Sequence, residues 1–112
     1  MQQALREGLT LLSRGKVEEA SQCARRVIGA KRDLPEAHFL VGLIALELEE
    51  KWTAIQAFGS VTELQPDNGA SWAHLAKLFL SIGQAERADD ALDKAMRFEN
   101  DSAIVQATSR KR

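Results

Sequence analysis

Only one cysteine, Cys23, stands among the 112 residues, so no disulfide can close within the chain and the small stapled scaffolds are excluded. A lone thiol fits a reducing compartment, and a cytoplasmic location is the expectation. Charge of one sign is missing as well. Fifteen Lys and Arg against sixteen Asp and Glu leave a net charge of -1, which gives no general attraction to nucleic acid or to an acidic membrane. The one basic cluster, SRKR at 109–112, reads as a solvated end, so no nucleic-acid partner is expected. Long hydrophobic runs are absent too. The stretch FLVGLIALEL stops at Glu47 and is too short to cross a bilayer, which leaves it as a strongly buried helix with no membrane role. The opening MQQALREGLTLLSRG has no basic segment leading into an apolar run and does not read as a signal peptide. What remains, 45% hydrophobic and 28% charged residues, suits one folded domain rather than a disordered chain.

The side chains that catalysis needs are few and scattered. Neither His38 nor His74 has a cysteine or carboxylate at metal-ligand spacing. His38 reads as a partly buried spacer, and His74 as a residue of the surface or of a groove edge. No serine lies in a nucleophile turn, no strand pattern exists to build one, and no glycine-rich phosphate loop occurs. Cys23, beside Ala24, reads as core. In ADDALDK the carboxylates Asp89, Asp90 and Asp93 fall on the outward, solvated side of an alanine stripe. An enzyme is therefore not expected, nor a cofactor or metal.

Against these absences stands a periodicity. Shifting the chain by 34 residues sets Gly8 on Gly42 and Ala76, Ala20 on Ala54 and Ala88, Val27 on Val61 and Ala95, and Leu11 on Ala45 and Phe79. Gly15 and Gly83 coincide, with Glu49 between them, and Arg32, Pro66 and Asn100 close units of 1–34, 35–68 and 69–102. Each unit reads as helix, tight turn, helix. In the third, Trp72, Leu75, Ala76 and Phe79 recur at helical spacing, Gly83 interrupts, and Ala88, Ala91, Leu92, Ala95 and Phe98 form a second stripe. The second unit repeats this with His38, Val41, Gly42 and Ala45, then Ala54, Ile55, Phe58, Val61 and Leu64; the first uses Leu5, Gly8 and Leu11, then Ala20, Ala24 and Val27. Glycine inside a helix costs about 1 kcal/mol relative to alanine. Its recurrence at Gly8 and Gly42 therefore points to helices in close approach.

These columns resemble three tetratricopeptide repeats. The resemblance rests on Trp72, Leu75, Gly83, Ala88, Leu92 and Ala95 in the third unit, on Val41, Gly42, Ala54, Phe58, Val61 and Pro66 in the second, and on Gly8, Leu11, Gly15, Ala20 and Val27 in the first. Departures are visible. Trp72 has His38 and Ala4 as counterparts, Arg32 and Asn100 stand where proline is commonest, and Glu49 replaces the turn glycine, with Trp52 placed to pack over the altered turn.

The resemblance implies an all-α, right-handed superhelical solenoid of stacked antiparallel helix pairs. It also implies a non-catalytic module whose concave groove, lined by the first helix of each pair, receives a peptide or extended segment of a protein partner. Carried over by position, the groove residues are Leu5, Leu9, Leu12 and Ser13; then Glu36, Phe39, Leu43, Leu46 and Glu47; then Ala73, Lys77, Leu80 and Ser81. This set is mostly apolar and suits a hydrophobic or amphipathic segment, although its leucines equally fit the core between repeats. Leu9 and Leu43 occupy the positions of the asparagines with which one branch of the family clamps chaperone C-terminal tails, so such a tail is not the expected partner. After Asn100, Ser102 is placed to cap a short helix whose Ile104, Val105 and Ala107 cover the last pair. The favoured expectation is a piece of a larger protein. A homodimer paired through exposed stack ends, and an appendage to an enzyme, are the alternatives.

Overall fold

The computed structural model describes residues 2–99, and these form six helices with no strand among them. They are α1 (Gln2–Ser13), α2 (Val17–Ala30), α3 (Pro35–Glu47), α4 (Lys51–Leu64), α5 (Gly69–Ser81) and α6 (Ala85–Glu99). Each helix packs on the next in the chain, and α1 also touches α3, so three hairpins stack side by side. The expected Ser102 cap and the cover by Ile104, Val105 and Ala107 lie outside the described residues.

The turn inside each pair is built the same way three times. The backbone N–H groups of Lys16, Glu50 and Gln84 donate to the carbonyls of Leu11, Ala45 and Phe79 at 2.8, 2.9 and 2.9 Å. Those of Gly15, Glu49 and Gly83 reach Leu12, Leu46 and Leu80 at 3.0, 3.1 and 3.1 Å. This closure of the last turn needs one residue in the left-handed region. Gly15 and Gly83 take it at φ 78° and 81°, and Glu49 is held there at 58° despite its Cβ. Trp52 does not cover that turn: it is 62% exposed. At the start of the next helix, the carbonyls of the same Lys16, Glu50 and Gln84 accept from Ala20, Ala54 and Ala88, each at 3.0 Å. The buried small residues are thereby placed in equivalent positions in all three pairs.

The joints between pairs are also alike. The Trp72 indole N–H donates to the Pro66 carbonyl at 2.8 Å, and the His38 Nε2 lies 2.7 Å from the Arg32 carbonyl. Positions 38 and 72 are one repeat apart, as are 32 and 66, so the imidazole performs the same tie as the indole. This explains how histidine substitutes for the larger ring. Pro35 opens α3 in a position that needs no N–H. Asn68 caps α5, its Oδ1 accepting from the Ser71 N–H at 3.0 Å.

Two apolar clusters fill the stack. The first joins Leu5, Ala20, Ala24, Val27, Ala37, Leu40 and Ile44; the second joins Ala45, Ala54, Phe58, Leu75, Ala76, Leu78 and Ala91. Helix α3 contributes to both, which widens the expected stripe: Ala37, Leu40 and Ile44 are buried beside Gly42 and Ala45, Val41 is only half-buried, and His38 is half-buried as expected. A helix enclosed on two sides is apolar nearly all round, so a one-face period misreads it. Two further residues expected in the stripes, Leu64 and Leu92, are exposed. Cys23 is buried in α2. Gly42 is required by the Phe58 ring, because a Cβ there would lie 2.6–2.8 Å from three of its atoms.

Candidate functional site

The first helices of the pairs, with the loop before α5, enclose an open cavity of about 350 Å³. Its wall is Leu5 and Leu9 from α1, Pro35, Glu36, Phe39 and Leu40 from α3, Gln65 and Asn68 from the loop, and Ala70 from α5. Leu5 and Leu40 form the floor, since both are buried and belong to the first cluster. Leu9 is 47% exposed at the rim. Asn68 is already engaged, accepting from Ser71 and donating through Nδ2 to the Gln65 Oε1 at 3.0 Å. The Glu36 carboxylate is exposed in the first turn of α3, where the helix dipole favours it. No basic side chain lines the cavity.

Phe39 is held from behind by two rings. Its ring meets Phe58 edge-on at 5.4 Å and His74 edge-on at 5.8 Å, while Phe58 and His74 stack at 4.6 Å with an interplanar angle of 12°. Such arrangements add about 0.5–1.5 kcal/mol per pair beyond area burial. His74, read from sequence as a surface or groove-edge residue, is therefore a half-buried packing ring between α3, α4 and α5.

Of the positions carried over as groove residues, the cavity brings together Leu5, Leu9, Glu36 and Phe39. Leu12 is half-buried against the first cluster, and Leu43 and Leu46 are half-buried against the second. Glu47, Lys77 and Leu80 are exposed and Ala73 is half-buried, all outside this cavity. Ser13 and Ser81, equivalent in register, donate to the Thr10 and Leu78 carbonyls, both at 2.7 Å. Sequence reasoning missed Pro35, Leu40, Gln65, Asn68 and Ala70. Asn68 carried a signal, because an Asn ahead of a helical stripe marks an N-cap and hence a chain entering the groove at that point.

On the far side, Asp90 and Asp93 pair with Lys94 and Arg97 at 3.5 and 3.2 Å on exposed α6. Lys94 also lies 4.4 Å from the centre of the Trp72 ring. Among the described residues no group of His, Cys, Asp and Glu could hold a metal, and no helix is long and apolar enough to cross a membrane.

A family model for the tetratricopeptide repeat matches residues 53–111, more than half of the chain. The chain belongs to the tetratricopeptide repeat family. No curated protein matches it in sequence. Solved structures of similar fold include a chain of the CopN-Scc3 complex, with a TM-score of 0.84 at 14% identity over 98% of this chain. A MamA RS-1 ArsTM double mutant matches with a TM-score of 0.80 at 24% identity over 88% of this chain. The first repeat domain of Spaghetti (RPAP3), bound to the HSP90 peptide SRMEEVD, matches with 0.81 at 15% over 96% of this chain and 86% of its own. The chain spans 65% of the CopN-Scc3 chain and 57% of the MamA chain. These likenesses establish the all-α tetratricopeptide superhelix.

Proposed function

We propose that this tetratricopeptide repeat protein is a non-catalytic interaction module that holds an apolar or amphipathic segment of a partner protein, with one side chain of that segment seated in the cavity between α1, α3 and α5. The observation that carries this reading is the cavity itself: open, walled by Leu5, Leu9, Phe39 and Leu40, and backed by a ring cluster that keeps Phe39 in place. A preformed apolar pocket loses little on binding, because its side chains are ordered already. Two structural relatives, one solved in a protein complex and one with a bound peptide, support a protein-binding role of the same kind. The repeat units are taken as 1–34, 35–68 and 69–102. Leu12, Leu43, Leu46, Ala73 and Leu80 extend the concave surface beyond the cavity, with Glu47 and Lys77 as its charged members.

An acidic tail such as the one bound to the RPAP3 domain does not suit this site. Leu9 and Leu43 stand where a clamp would carry asparagines, no lysine or arginine lines the cavity, and Glu36 at its rim repels a carboxylate. The reading is tested by selecting binders from a random peptide display library and measuring their affinity for wild type and Leu9→Glu. Because Leu9 is 47% exposed, the variant should fold normally by circular dichroism. Selected peptides should share a bulky apolar residue and bind the variant at least about tenfold more weakly, a difference of about 1.4 kcal/mol. Equal binding to both proteins would remove the cavity as the site.

A further inference from the structure

Of the nine residues that wall the cavity, Glu36 is the one that carries a charge. It is exposed, and none of the described cations pairs with it: the ion pairs among the described residues are Asp90 with Lys94 and Asp93 with Arg97. The two amide side chains of the wall are engaged already, Asn68 with the Ser71 N–H and with the Gln65 Oε1. An apolar side chain seated in the cavity therefore meets one unanswered charge at the rim, and it is a carboxylate.

The fold does not require that carboxylate. One repeat away on either side, Gln2 of α1 and Ala70 of α5 hold the same place and are neutral. The other end of α3 departs in the same direction. Glu47 stands where α1 and α5 have Ser13 and Ser81, whose hydroxyls turn back onto their own helices. Glu36 and Glu47 are three turns apart on nearly one line. Lys77 of α5 is in register with Leu43, one turn from the row of Glu47 and two turns from the row of Glu36. It offsets Glu47 at close range. Two turns are about 11 Å, longer than the roughly 8 Å Debye length at physiological salt, so Glu36 is left uncompensated.

We infer that the segment held in this cavity carries a lysine or arginine close beside its apolar anchor, placed to pair with Glu36. The inference rests on the reading of the cavity as the binding site and names the chemistry of what binds there. Glu36 is one turn from Phe39 and Leu40, so its Cβ lies about 5–6 Å from theirs. In an extended segment, side chains two residues apart share a face and stand about 7 Å apart. In a helix, residues three and four apart share a face. The cation therefore falls two residues from the anchor in the first case and three or four in the second. The long stem of Lys or Arg lies along the apolar rim while its head reaches the carboxylate.

Peptides selected on the wild-type chain from the random display library test this, by titration calorimetry against wild type, Leu9→Glu, Glu36→Gln, Glu36→Lys and Glu63→Gln. Neutral residues already stand at the place of Glu36 in α1 and α5, so its variants should fold, as circular dichroism checks. Glu63, exposed on α4 and outside the cavity, controls for net charge. Peptides weakened by Leu9→Glu should carry Lys or Arg within four residues of their apolar anchor. They should bind Glu36→Gln about threefold and Glu36→Lys about tenfold more weakly, the size of an exposed ion pair and of its reversal, and Glu63→Gln as wild type. A copy of the peptide with its basic residue replaced by glutamine should bind wild type and Glu36→Gln alike. Cavity-bound peptides that ignore Glu36→Gln, or that prefer Glu36→Lys, overturn the inference and leave the cavity standing as the site. An equal loss for Glu36→Gln and Glu63→Gln also overturns it, because the attraction is then one of net charge. Peptides unaffected by Leu9→Glu remove the cavity reading and this inference with it.

Discussion

Gly8 and Gly42 occupy the same place in successive helix pairs, yet the space around them differs. A Cβ at Gly8 would meet the Leu40 Cδ2 at 2.7 Å, the far end of a side chain that can turn, with Cys23 Cβ next at 3.5 Å. At Gly42 it would meet the Phe58 ring, which is fully buried, stacked on His74 and edge-on to Phe39. A ring held on several sides has nowhere to go. The first interface is a soft contact between aliphatic groups, and the second is a rigid aromatic joint. The cavity draws on both: its floor from the soft joint, through Leu5 and Leu40, and its fixed wall from the rigid one, through Phe39.

The largest effect should come from removing the ring itself. Phe58→Ala should lower the unfolding free energy by about 3–5 kcal/mol, measured by urea denaturation, and should loosen Phe39 as well. Gly42→Ala should follow, with a net loss of about 1–2 kcal/mol, because overpacking against the ring outweighs the gain in helix propensity. A smaller effect of opposite sign is expected at the turn of the same pair. Glu49→Gly should gain about 0.5–1 kcal/mol, since glycine accepts the left-handed conformation that Glu49 is held in. The smallest belongs to Gly8→Ala, where the propensity gain and the displacement of Leu40 nearly cancel, within about 0.5 kcal/mol. If Gly8→Ala and Gly42→Ala cost the same, the distinction between the two joints is wrong.

Much of the fold was legible because the same turn is made three times. Residues 11, 45 and 79, and 16, 50 and 84, accept and donate the same closing bonds, so one repeat calibrates the others and Glu49 is recognised as a stand-in for glycine. Less was legible where a residue answers to two neighbours. Leu40 and Ile44 escaped a one-face stripe because α3 is enclosed on both sides. His74 could not be placed because nothing in the chain order shows that it meets Phe58 and Phe39, from two other helices. Four of the wall residues, Leu5, Leu9, Glu36 and Phe39, were readable from positions on the first helices. Of the rest, Gln65, Asn68 and Ala70 come from the joint between pairs and the start of α5, which a helix-by-helix transfer of groove positions passes over.

The account stands on the concave cavity being the surface that receives a partner. The direct measurement is an amide ¹H–¹⁵N spectrum of the isotope-labelled chain, titrated with a peptide selected from the display library. The largest shifts should fall on Leu9, Glu36, Phe39, Gln65 and Ala70, with Gln56, Gly59 and Asp93 unmoved. Shifts confined to the convex helices α2, α4 and α6, with the cavity residues unchanged, would contradict it.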